Sequence, residues 1–208
     1  DTILDAEQVT RHILVPQASS FKLQALSLVN GLIKTTSGGD SAGASLLLNN
    51  NCRLTLDSVI VSGNSGFDAV IFRGSLKISN SVFRDNNPVN AGLIYNANSD
   101  IENTSFFNNQ ANNGALFVGT GYTTDIVNSY IHNNVCLNGL FTDGLIRVND
   151  SFIYGNSSTA FGGVFKGATV TLDNTIISGN EAVSGSVFSD SNAYINSSSI
   201  FENTADYG

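Results

Sequence analysis

Apolar and polar positions along this chain recur with a period of roughly 23 residues, and an asparagine marks every repeat. Asn64, Asn86, Asn109, Asn134, Asn156, Asn180 and Asn203 follow one another at intervals of 22, 23, 25, 22, 24 and 23 residues. Three positions before each stands Val61, Phe83, Phe106, Ile131, Ile153, Ile177 or Ile200, and eight before stands Leu56, Ile78, Ile101, Ile126, Val148, Leu172 or Ile195. Both columns are apolar in every repeat. Around the second, apolar and polar residues alternate, as in Leu54-Thr55-Leu56, Leu76-Lys77-Ile78, Ile146-Arg147-Val148 and Val170-Thr171-Leu172. Alternation of period two predicts a strand with one buried face, and no helical periodicity competes with it. Six before the asparagine come Ser58, Asn80, Asn103, Asn128, Asp150, Asn174 and Ser197, with Val59, Ser81, Thr104, Ser129, Ser151, Thr175 and Ser198 next to them. Asn and Asp tolerate left-handed backbone, so this column predicts a tight corner. A small residue and an apolar run follow each asparagine from Asn64 to Asn180, as in Gly92-Leu93-Ile94-Tyr95 and Gly139-Leu140-Phe141, and supply another side of the coil.

These signals predict an all-β solenoid, a parallel β-helix of about nine coils with three short strands per coil. Stacked at about 4.8 Å, identical amides can hydrogen-bond from coil to coil, so the asparagine column reads as a ladder that fixes the register. Towards the N-terminus, Phe21, Leu23, Leu28 and Gly31 align with Leu54, Leu56, Val61 and Asn64, which makes one coil 33 residues long. The surplus falls in a small, polar, breaker-rich stretch, residues 35–43, predicted to protrude as a loop. Residues 1–20 read as an irregular first coil, and residues 1–208 as a single domain about 40 Å long. The chain lacks methionine and stops five residues after a ladder asparagine, so it reads as a fragment or processed piece of a longer protein.

Strand, then Asn-Ser/Thr, then Phe/Ile-x-x-Asn, then Gly-x-Ile/Phe: the combined pattern resembles the repeats of secreted right-handed parallel β-helix proteins of the pectin-lyase-like class. Phe83-Arg84-Asp85-Asn86 with Gly92-Leu93-Ile94, and Phe106-Phe107-Asn108-Asn109 with Gly114-Ala115-Leu116, are similar to the FxxN and GGAI repeats of chlamydial polymorphic outer membrane proteins. The resemblance covers about residues 21–208 and implies a right-handed coil. It also implies a non-enzymatic extracellular role, as a stalk, passenger or filament segment of a cell-surface protein. Partners would be other domains of the same long chain, identical subunits, or cell-surface glycans and proteins.

Composition narrows the alternatives. Only 12% of residues are charged and the net charge is −8, which leaves no basic patch for nucleic acid or anionic lipid. The apolar fraction of 41% suffices for a continuous core. The longest apolar runs are three or four residues, so no membrane span is expected in this segment. Cys52 and Cys136 are 84 residues apart, more than three coils, beyond the roughly 7 Å limit for bridged Cα atoms. They are expected to be unbridged and to face the core. Asn-x-Ser/Thr sequons at Asn103, Asn149 and Asn196 are glycosylation candidates, while the one at Asn156 lies in the ladder and should be blocked by folding.

Candidate chemistry sits nine positions before the ladder asparagine, in the column Thr55, Lys77, Asp100, Asp125, Arg147, Thr171 and Tyr194. Enzymes of the pectin-lyase-like class place acidic and basic residues on one outward strand face. Asp100 and Asp125 should stack about one strand spacing apart, near the carboxylate separation of a retaining glycosidase, with Glu102 on the same face. Such a pair would also invite Ca²⁺. The flanking Lys77 and Arg147 give the bland alternative, a surface ion-pair column without catalysis, and no cofactor is expected. His12 and His132 have no acidic or nucleophilic neighbour at defined spacing and read as solvated surface histidines. Phe72, Tyr95, Phe117 and Phe188 line up as an aromatic column, interrupted by Thr142 and Lys166, that faces outward or lies at a seam. A polysaccharide lyase or glycoside hydrolase, or a carbohydrate-binding module using these rings, is therefore the alternative to the structural and adhesive reading.

Overall fold

The computed structural model describes residues 2–15, 19–33, 43–48 and 51–207. The chain winds into a parallel β-solenoid, and the described residues contain no helix. One repeat illustrates the coil: a strand Ser75–Ser79, a corner, Val82–Arg84, a second corner at Asn86, then Asn87–Pro88 and Ile94–Tyr95. The two-residue segment after the ladder asparagine is one the alternation pattern does not disclose. Strands pair in parallel with their equivalents in adjacent coils, the strands equivalent to Ile94–Tyr95 form an eight-stranded stack, and the short strands after the ladder asparagine split into two sheets between Asn87–Pro88 and Gln110–Ala111. Because the interior is built by stacking, each coil buries the previous one. No helix among the described residues is long and apolar enough to cross a membrane.

The columns counted from the sequence are the columns of the structure. Leu56, Ile78, Ile126, Val148 and Leu172 are wholly buried, as are Val61, Phe83, Phe106, Ile131, Ile153 and Ile177. Phe83 and Phe106 stack at 4.8 Å inside the coil. Ser58, Asn80, Asn103, Asn128, Asp150, Asn174 and Ser197 all adopt positive φ, between 47° and 56°, which turns the corner. Phe21, Leu23 and Leu28 pair with Leu54, Leu56 and Val61 as the alignment requires. The first coil also joins the stack: Thr2–Asp5 pairs with residues 26–29, and Ile13–Val15 with Leu46–Leu48. The loop expected at residues 35–43 lies outside the described residues, except for Gly43.

The asparagine ladder is continuous. Each Nδ2 donates to the Oδ1 of the next ladder asparagine at 2.8–2.9 Å, from Asn64 through to Asn203. The backbone N–H of each ladder residue donates to the same oxygen. A second ladder of hydroxyl groups runs beside it. Ser81, Thr104, Ser129 and Ser151 each accept from the backbone N–H of the coil before, while their own hydroxyls donate to the carbonyl two residues back. That arrangement satisfies buried polar groups that would otherwise each cost about 1–3 kcal/mol.

Candidate functional site

The carboxylate column lies on the outward face of the strand equivalent to Ser75–Ser79. Lys77 registers with Asp100, Asp100 with Asp125 and Asp125 with Arg147. The Arg147 guanidinium donates to both oxygens of Asp125, at 3.0 and 3.2 Å. Both side chains remain partly exposed, so the pair stabilises the fold by under about 1 kcal/mol. A shallow groove of about 400 Å³ passes over Lys77, Asp100, Glu102, Asp125 and Val127. Asp100 and Asp125 are neighbours in register, and Asp125 is bonded to Arg147. Among the described residues no three His, Cys, Asp or Glu side chains converge where a metal ion could sit.

A second groove, of about 350 Å³, runs along the axis past Asn90, Tyr95, Asn113, Thr142, Asp143 and Lys166. Several of its polar groups satisfy each other. Asn113 donates to Asn90 at 3.0 Å, the Thr120 hydroxyl donates to Asp143 at 3.0 Å, and the Lys166 ammonium sits 5.6 Å from the centre of the Phe161 ring.

The aromatic column expected from Phe72, Tyr95, Phe117 and Phe188 is two columns. Phe72 pairs with Tyr95 and then Val118, Thr142, Lys166 and Ser189 on the outward face. Phe117 and Phe188 belong to the inward face, where Phe117, Phe141, Phe165 and Phe188 stack at 4.8–5.6 Å. A one-residue slip in loop length exchanges the two faces of a strand.

An outer aromatic surface emerges elsewhere, on the strands equivalent to Val82–Arg84. Phe107, His132 and Tyr154 stack in one row and Tyr130 and Phe152 in another, with centroids 4.8–5.2 Å apart. Counting two and four positions back from Asn109, Asn134 and Asn156 discloses both rows. The rings cover one another's faces and turn their edges to solvent, so few faces remain for a sugar ring to stack on. His132 is thus not a solvated histidine. Partial burial between two rings holds its pKa below the ordinary value, and its Nδ1 is shielded without a hydrogen-bond partner. His12 is also half-buried, with both ring nitrogens bonded.

Cys52 and Cys136 are free and buried in the core, and burial pushes the Cys136 thiol up to about 12, far from nucleophilic use. Among the sequons, Asn103 is an exposed corner residue, Asn196 is exposed at the end of a strand, Asn149 is half-buried at the equivalent strand end, and Asn156 is enclosed in the ladder. Asn196 donates to Asp173 at 2.9 Å. Comparison with protein-family models, with characterised proteins and with solved structures finds no match to this chain.

Proposed function

We propose that this chain is a non-enzymatic segment of an extracellular surface protein, a rigid stalk, passenger or filament section that presents its outer faces for adhesion. The observation that carries this reading is the ladder from Asn64 to Asn203, a device for holding length and register. Polar groups on the outside are largely paired along the axis, as Asp125 is with Arg147 and Asn113 with Asn90. Free, convergent reactive groups are what catalysis requires. The resemblance to pectin-lyase-like and chlamydial polymorphic outer membrane protein repeats supports the same reading and an extracellular or cell-surface location. The partners it favours are neighbouring domains, identical subunits or cell-surface glycans and proteins.

One observation favours a second reading, a carbohydrate-active enzyme: Asp100 and Asp125 stand in register, with Glu102 on the same face. A polysaccharide-degradation screen combined with a glycan array, run with and without Ca²⁺, separates the two. The structural reading predicts intact polysaccharides in every condition. Cleavage that disappears in the Asp100→Asn/Asp125→Asn double variant would establish the enzyme instead.

A further inference from the structure

The asparagine ladder stops at Gly31, and another side chain takes over the missing position. The Gly31 N–H donates to Asn64 Oδ1 at 2.8 Å, as a ladder residue does. Gly31 itself has no room for a side chain: a Cβ there would lie 2.3 Å from the Ala44 carbonyl oxygen and 3.1 Å from Cε1 of His12. The imidazole of His12 reaches in from the first coil. Ladder asparagines donate Nδ2–H to the carbonyl two residues before them, as Asn64 does to Ser62, Asn134 to His132 and Asn156 to Tyr154. The carbonyl two residues before Gly31 is that of Val29, and His12 Nε2 bonds to it at 2.9 Å.

That bond sets the state of the ring. A carbonyl only accepts, so Nε2 carries the hydrogen, and in the neutral ring Nδ1 accepts from the Ser45 hydroxyl at 3.0 Å. Protonation would turn Nδ1 into a second donor, so that the wholly buried Ser45 hydroxyl must turn round to accept, and would place a cation in a half-buried site. Asp5, on the same N-terminal segment, is the charged group that favours the cation. Its carboxylate is already occupied by the Glu7 N–H at 2.8 Å and Asn30 Nδ2 at 3.1 Å. Arg11 is the chain neighbour, Val29, Gly31 and Ser45, which lie against the ring, carry no titratable side chain, and the Leu4 carbonyl favours the cation without outweighing desolvation.

We propose that His12 closes the asparagine ladder in place of an absent asparagine, and that its protonation loosens residues 2–15 from the stack. Loosening bares the parallel edge of residues 26–29, which Thr2–Asp5 covers, and an open edge is a template for another strand. Desolvation, the largest influence on the ring, supports the sign, since it holds the docked His12 below its ordinary 6.5. The undocked segment therefore takes up the proton first. Docking is at full strength above about pH 6.5 and weakens as the pH falls below it, until the docked ring also protonates.

Hydrogen exchange of the whole chain at pH 7.5 and pH 5, corrected for intrinsic rates, tests this. Protection of Thr2–Asp5 and Ile13–Val15 should fall on acidification, by about tenfold per pH unit across the window, while residues 53–203 serve as the internal control. His12→Gln, which keeps a neutral N–H donor at the position of Nε2, should make that protection independent of pH. His12→Ala should lose it at both values. The proposal fails if the wild-type segment is equally protected at both, if His12→Gln follows the wild-type pH dependence, or if His12→Ala matches wild type at pH 7.5.

Discussion

A buried asparagine is tolerable only when all its polar atoms are bonded, and Asn109 shows how this fold achieves that. Its Oδ1 accepts the Asn86 N–H and Asn86 Nδ2, and its own Nδ2 donates to Phe83 O and Asn134 Oδ1. Asn109→Ala strands several groups at once and should cost at least about 2 kcal/mol in urea unfolding. Ser99 is the opposite case, a hydroxyl wholly buried in an inward column with no hydrogen-bond partner. Replacing it by Ala removes an unsatisfied group, so the same measurement should show Ser99→Ala at least as stable as wild type, by up to about 1–2 kcal/mol. The ladder was legible at this scale because asparagine recurs at one phase in seven coils. The environments of His12 and His132 were not, because the groups around each ring come from other coils rather than from the adjacent sequence.

At the scale of one coil, legibility follows loop length. From the residue eight before to the ladder asparagine the count never varies, so buried and exposed faces could be assigned by counting alone. Beyond it the loops differ. The inward residue of the next long-range stack lies seven positions on at Ile71, eight at Ile94 and nine at Phe165, and a fixed count therefore lands on the wrong face. Signals for the second corner were available in Gly63, Asp85, Asn108, Asn133, Gly155, Gly179 and Glu202, all at positive φ just before the ladder residue. Close approach between coils makes its own demand at Gly92, where a Cβ would lie 2.0 Å from the Ala115 carbonyl oxygen and 2.4 Å from that of Leu116. Both atoms are backbone, so the coils would have to part. Gly92→Ala should lower the thermal midpoint, by about 2–4 °C for each kcal/mol lost, whereas an exposed corner change such as Asn103→Gly should be nearly silent.

For the whole molecule, burial is a gift of the adjacent coil rather than of a globular centre. Leu172 and Ile177 are fully buried, on strands that pair with the equivalent strands of the coils on either side. Ile177→Ala should therefore cost about 2–5 kcal/mol, a loss that chemical denaturation can read. The same one-dimensional logic underlies the functional reading: a stack that repeats one set of contacts gains length and stiffness without needing a catalytic centre. Its register is the claim on which everything else rests. Double electron–electron resonance between spin labels at Thr55→Cys and, in turn, Arg147→Cys, Thr171→Cys and Tyr194→Cys tests it directly, with the buried Cys52 and Cys136 left unlabelled by the fold. These positions lie in one outward column, four, five and six coils from Thr55. In-register stacking predicts distances of about 19, 24 and 29 Å, rising by one strand spacing per coil. Distances that fail to rise in those steps would contradict it.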